Sequence, residues 1–355
     1  MLTCINMNTE HNFGNRITAN TSTADDGKNL ISDALQYIQS THNFTPLDDS
    51  TLFTGVYYDS KKVGSFITKV KNEDGHSAVL KLQLRPLPFD EGFIIRSLEK
   101  DLKTHHIRPV KIFHDKPWCE ELGFGYLLFE DISDLPNIWD HTPTQDEDRA
   151  LHKKFIEEFY RSVLPITHPW VERPKISLQK KALESFEHFH QIAKDSTHKH
   201  LTEEELKPFS DKYFEIIQSQ EVERELIFTH GHLSGYDVKY DEYRKQFILM
   251  ANLYWSWRPK NYELVFPIWV DLMQIRDASL SFKQFLARVI TWFDLWQKDI
   301  SNERAFWLML LDRSMYTIML DLGASEWKAE EANQKQALLE SWKIFFNWII
   351  ENKLS

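Results

Sequence analysis

The sequence predicts an α+β protein: a small antiparallel sheet carrying one helix, followed by a larger part made mainly of helices. Between Leu52 and Glu130 apolar residues alternate over short runs, the period of strands buried on one face. Beyond Asp131 the apolar spacing lengthens to that of amphipathic helices. A β-rich island around 226–251 interrupts those helices and holds the chain's most informative motif.

The elements follow in order. Residues 1–30 are polar, rich in Asn, Thr and Asp, and aperiodic, so residues 1–45 are expected to form a partly disordered extension with a short helix at Asp33–Ser40. Leu52–Tyr58, Gly64–Val70 and Ser77–Leu84 alternate as strands, with Glu73-Asp74-Gly75 as a hairpin turn. Asp90–Lys103 has helical spacing, with Phe93, Ile94, Ser97, Leu98 and Leu102 along one side. Strands at Val110–His114 and Gly125–Glu130 complete a first domain over 46–131.

The second domain, 132–355, begins with a helix at Asp148–Val163, where Leu151, Phe155 and Phe159 recur at a helical interval. Lys180–Ala193 and Glu203–Gln218 continue it, with Pro208 expected to kink or restart the latter. Strands are expected at Leu226–Thr229 and Phe247–Ala251, then three helices around 281–298, 303–321 and 327–351. Trp at 292, 296, 307, 327, 342 and 348 falls at helical spacing in that last stretch, which reads as core rather than ligand cage.

Composition narrows the function. With 42 Lys and Arg against 53 Asp and Glu the formal charge is −11, which argues against nucleic acid as a main partner. Cys4 and Cys119 fit no metal or catalytic spacing, and a reducing compartment is the default. No apolar run reaches the ~18 residues of a membrane span; Ala305–Leu320 comes nearest and is broken by Asp312 and Arg313. A cytoplasmic protein with a small-molecule ligand, no membrane and no nucleic acid is expected, and nothing in the sequence sets an oligomeric state.

Four short segments carry chemistry. In Ala78-Val79-Leu80-Lys81, alternation puts Val79 and Lys81 on one face and Ala78, Leu80 and Leu82 on the other. Lys81 is either a phosphate-reaching lysine or a solvent-facing one. Glu91 opens the next helix as its ion-pair candidate, with Glu99 as competitor and a plain surface carboxylate as the alternative. Tyr126–Ile132 is a strand running into a connector. Last comes His230-Gly231-His232-Leu233-Ser234-Gly235-Tyr236-Asp237, followed after a strand by Asn252.

Together these segments resemble the aminoglycoside phosphotransferase and choline kinase branch of the protein-kinase-like superfamily, from about Leu52 to the last helices. That branch writes its loop His-Gly-Asp-Leu-His-x-x-Asn, then a strand, then Ile-Asp. The resemblance implies a two-lobed fold and ATP or another nucleotide as cofactor. Lys81 would then reach the phosphates with Glu91 holding it, and backbone groups around Glu130 and Ile132 would meet the adenine edge. His232 occupies the place of the catalytic Asp, beside His230, which has a structural role in the resemblance. Asp237 and Asn252 occupy the two metal positions with their side-chain types exchanged. The phosphate-loop match is poor, with Gly64 as the one glycine of Asp59–Ser65.

These departures decide what to expect. A neutral imidazole at 232 can still accept a proton. Magnesium could bind through Asp237 but is weakened at Asn252, where an amide offers no charge. His230 and His232 have the spacing of zinc ligands on a strand, yet no third or fourth ligand lies near, so no zinc is expected. In Trp255-Ser256-Trp257-Arg258 the tryptophans read as core. Arg258 either supplies lost metal charge, clamps an anionic group, or pairs with Glu263. The favoured reading is a degenerate, pseudokinase-like ligand-binding or regulatory protein. The alternative is a divergent ATP-dependent small-molecule kinase that phosphorylates a hydroxyl.

Overall fold

A computed structural model describes residues 24–46, 52–56, 59–71, 74–84, 86, 90–139, 146–167, 169, 172–175, 178–219, 225–235, 237–250 and 255–355. The chain divides into two compact units, one comprising residues up to Asp101 with Pro109–Asp134, the other Leu102–Arg108 with Leu135–Ser355.

The first unit is an antiparallel sheet. Helix α1 (Ala24–Thr41) precedes strands β1 (Thr45–Pro46), β2 (Leu52–Val56), β3 (Asp59–Lys71) and β4 (Ser77–Gln83), then helix α2 (Glu91–Asp101). β6 (Ile112–Cys119) and β7 (Phe124–Glu130) follow, and the sheet order is β1-β3-β4-β7-β6 with β2 against β3. Helix α1 is longer than the segment Asp33–Ser40 expected from periodicity. Its Ile31, Ala34 and Ile38 are buried against Ala78, Leu80 and Leu82 of β4 and Phe124, Tyr126 and Leu128 of β7. That packing fixes which face of β4 is apolar and leaves Lys81 on the other. Gly75 in the β3–β4 turn has φ +78°, a backbone state that favours glycine.

The second unit is mainly helical. Its helices are α3 (Asp146–Glu158), α4 (Leu178–Asp195), α5 (Glu203–Ser219), α6 (Tyr262–Met273), α7 (Phe282–Trp296), α8 (Glu303–Tyr316) and α9 (Ala332–Ile349). Helix α5 runs through Pro208 without a break. The β-rich island contains more than periodicity suggested. β8 (Leu226–His230) pairs with β11 (Trp255–Pro259), while β9 (Val238–Asp241) and β10 (Gln246–Leu249) form a hairpin extended by β5 (Ile107–Pro109). Ala251, the expected end of the second island strand, lies outside the described residues. Trp292, Trp296, Trp307 and Trp342 are fully buried, as core tryptophans should be, and Trp327 and Trp348 are half-buried. No helix among the described residues is long and apolar enough to cross a membrane.

Candidate functional site

In the first unit the strand period delivers a charged pair. Ala78, Leu80 and Leu82 are buried, so the opposite face of β4 carries Lys81 toward the start of α2. There Lys81 Nζ donates to Glu91 Oε2 at 2.6 Å, with 16% and 3% of the two side chains exposed. Glu99 lies farther along α2 on its exposed side. Asp90 accepts from the N–H of Phe93 at 3.2 Å and so caps the helix that presents Glu91. Burial pushes the Asp90 carboxyl above the ordinary carboxylate range.

At the end of β7, Glu130 accepts from the backbone N–H of Lys111 at 2.7 Å and Ile132 is buried. Between them Asp131 accepts from Ser77 Oγ at 2.6 Å and the N–H of Ser133 at 3.0 Å, and pairs with Lys69 at 3.1 Å. Burial alone would raise its pKa, but these donors hold it below the ordinary range.

In the second unit the loop after β8 is tied to itself. His230 is buried, and its Nδ1 accepts from the backbone N–H of His232 at 3.1 Å, so that nitrogen carries no proton. Asp237 takes three contacts on one oxygen. Its Oδ2 accepts from the Ser234 N–H at 3.0 Å and the Ser234 hydroxyl at 2.6 Å, and lies 3.4 Å from His232 Nδ1. Burial raises the Asp237 pKa, and His232, Ser234 and His230 more than offset it, leaving the carboxyl below the ordinary range. The His232 ring lies 4.5 Å from that of Phe266 on α6, with 41% of its side chain exposed.

Beneath the loop, Thr229 and Tyr160 donate to Glu263, which is fully buried at the start of α6. Burial pushes the Glu263 carboxyl up, against the pull of those donors and of Arg258. The Arg258–Glu263 ion pair, one of the alternatives left open for Arg258, does not form: Glu263 is turned to Thr229 and Tyr160. Arg258 instead lies over Gly231. A Cβ at 231 would stand 2.6 Å from its Nε and 2.8 Å from its Nη2. The guanidinium also faces the Tyr262 ring, with Cζ 5.0 Å from the centroid. Glycine at 231 is therefore what lets a guanidinium reach the loop backbone.

Asn252 lies outside the described residues, and among the described residues no three His, Cys, Asp or Glu side chains converge as a metal set. The sequence reading missed Ser234, although Ser followed at the third place by Asp is the spacing of a local side-chain turn. It also missed Thr229 and Tyr160, which no local pattern marks.

No family model and no curated protein matches the sequence. Solved structures do. An amicoumacin kinase in complex with AMP-PNP, Ca2+ and Ami superposes with a TM-score of 0.54 at 11% identity, covering 90% of this chain and 96% of that one. An ethanolamine kinase of Plasmodium vivax gives 0.49 at 12% identity over 95% and 99% of the two chains. A spectinomycin phosphotransferase with ADP and spectinomycin gives 0.47 at 12% identity over 90% and 96%. The first of these carries the comparison: the chain has the α+β kinase-like fold of that amicoumacin kinase, at a sequence identity low enough to mark it as divergent.

Proposed function

We propose that this is a kinase-like ligand-binding protein that holds a nucleotide through Lys81 and Glu91 and lacks ordinary metal-assisted transfer. The observation that carries the reading is the use of Asp237. Its Oδ2 is committed to two bonds from Ser234 and to the His232 contact, a poor fit for a magnesium ligand. The nucleotide half keeps its chemistry, because a buried glutamate holds the lysine as a point charge for phosphate oxygens. Residues 46–131 would form the nucleotide-binding part, with backbone groups at Glu130 and Ile132 meeting the base. Residues 132–355 would supply the ligand side, and the acidic, cysteine-poor chain would work in the cytoplasm.

A second reading rests on one contact. His232 Nδ1 faces Asp237, which leaves Nε2 as the ring nitrogen able to take a proton from a hydroxyl substrate. In that reading the carboxylate orients the imidazole, and the protein is a small-molecule kinase. Asp237→Asn separates the two. The binding reading expects affinity for AMP-PNP with magnesium, measured by calorimetry, to stay within about twofold. The transfer reading expects phosphoryl transfer to a panel of alcohols in wild type, falling by about 100-fold or more in the variant. Wild-type turnover lost in this way would overturn the binding reading.

A further inference from the structure

Two cations meet next to the loop, and among the described residues neither is held in an ion pair. Lys181, on the first turns of α4, donates to the Trp257 carbonyl at 3.0 Å, one residue from Arg258. Nε of Arg258 is buried without a hydrogen-bond partner among the described residues, and the guanidinium is confined between Gly231 and Tyr262. Acid is not scarce in a chain with 53 Asp and Glu against 42 Lys and Arg. The nearby carboxylate, Glu263, is fully buried and committed to Thr229 and Tyr160.

Such a pair is costly in the ligand-free protein. Burial, and then the charge of Arg258, lower the Lys181 pKa to about 8. A guanidinium presents a fork of donors suited to carboxylate or phosphate oxygens, and donors removed from water without an acceptor are penalised. An anion here would answer both problems, supplying acceptors to Arg258 and charge to Lys181. Both residues are half-buried, so part of each side chain still reaches solvent.

We infer that Arg258 and Lys181 form the receptor for an anionic group, carboxylate or phosphate, of the ligand that this protein binds beside Gly231. The inference rests on the proposed reading of this chain as a ligand-binding protein whose residues 132–355 supply the ligand side, and it names the class of ligand taken there. Its test is calorimetric titration of the full chain at pH 7 with inorganic phosphate and, separately, with acetate. Wild type, Lys181→Met, Arg258→Gln and Lys81→Ala are compared, with circular dichroism as the check on folding.

Saturable binding of either anion, weakened about tenfold or more in Lys181→Met and still present in Lys81→Ala, is the expected result. Binding of phosphate alone assigns a phosphate group, and binding of acetate assigns a carboxylate. If Arg258→Gln fails to fold, Lys181→Met decides, together with wild-type phosphate affinity falling as pH rises through about 8. The absence of saturable binding, equal binding in Lys181→Met, or loss confined to Lys81→Ala would overturn the inference. A parallel AMP-PNP titration keeps the readings apart: its failure removes the nucleotide proposal, and failure of the anion titration removes only this one.

Discussion

His152 should make this protein acid-sensitive by an amount the structure sets. The ring is fully buried on α3 among Trp139, Phe155, Trp292 and Trp296, and neither nitrogen has a hydrogen-bond partner among the described residues. Burial depresses its pKa from 6.5 to about 3. A histidine held neutral in the fold contributes stability that is present above its unfolded pKa and is lost as pH falls toward the folded value. Between pH 7 and pH 5 only the unfolded chain gains the proton, at a cost to folding of about 2 kcal/mol. Urea denaturation of wild type and His152→Leu at both pH values measures this directly. The two proteins differ at this one position, so contributions from the rest of the chain cancel in the comparison. Stability should drop by about 2 kcal/mol more in wild type than in His152→Leu over that interval. An equal drop in both proteins would refute the reasoning, because it would mean that His152 reaches a partner or solvent when protonated.

Three further perturbations follow. Glu91→Gln removes the partner of Lys81; breaking a fully buried pair costs about 3–5 kcal/mol, and the partial exposure of Lys81 reduces this to about 2 kcal/mol, read as a lower urea midpoint. Gly235→Ala drives a Cβ into the fully buried Trp139 ring and should cost about 1–3 kcal/mol, with a matching fall in the thermal midpoint. Asp237 has a depressed pKa, so its contribution is present above the unfolded carboxylate value and is lost as pH falls through the folded one. Asp237→Asn should therefore flatten the decline in stability below pH ~4.

Much of this was legible because short-range periods are physical. Alternation around Lys81 follows from one-sided burial of β4, and the tryptophans of α7, α8 and α9 fall where helical spacing puts core. Other features left no trace in the local pattern. Helix α6 was missed because Leu264, Val265, Phe266, Ile268, Val270 and Leu272 are all buried, and a helix apolar on every side has no period to read. β9 and β11 were missed because Val238–Asp241 and Trp255–Pro259 mix charged and apolar residues, and their pairing partners fix them as strands. At the site, the identities of His230, His232 and Asp237 could be read directly. Their mutual ties, and the seating of Arg258 over Gly231, depend on residues distant in sequence.

The central claim is a nucleotide site built on Lys81 and Glu91 without a working metal position. Calorimetric titration with ATP, with and without magnesium, on wild type and Lys81→Ala tests it most directly. The account predicts binding in wild type that changes little with magnesium and is weakened at least about tenfold in Lys81→Ala. Absence of ATP binding under both conditions, or binding that Lys81→Ala leaves intact, would contradict it.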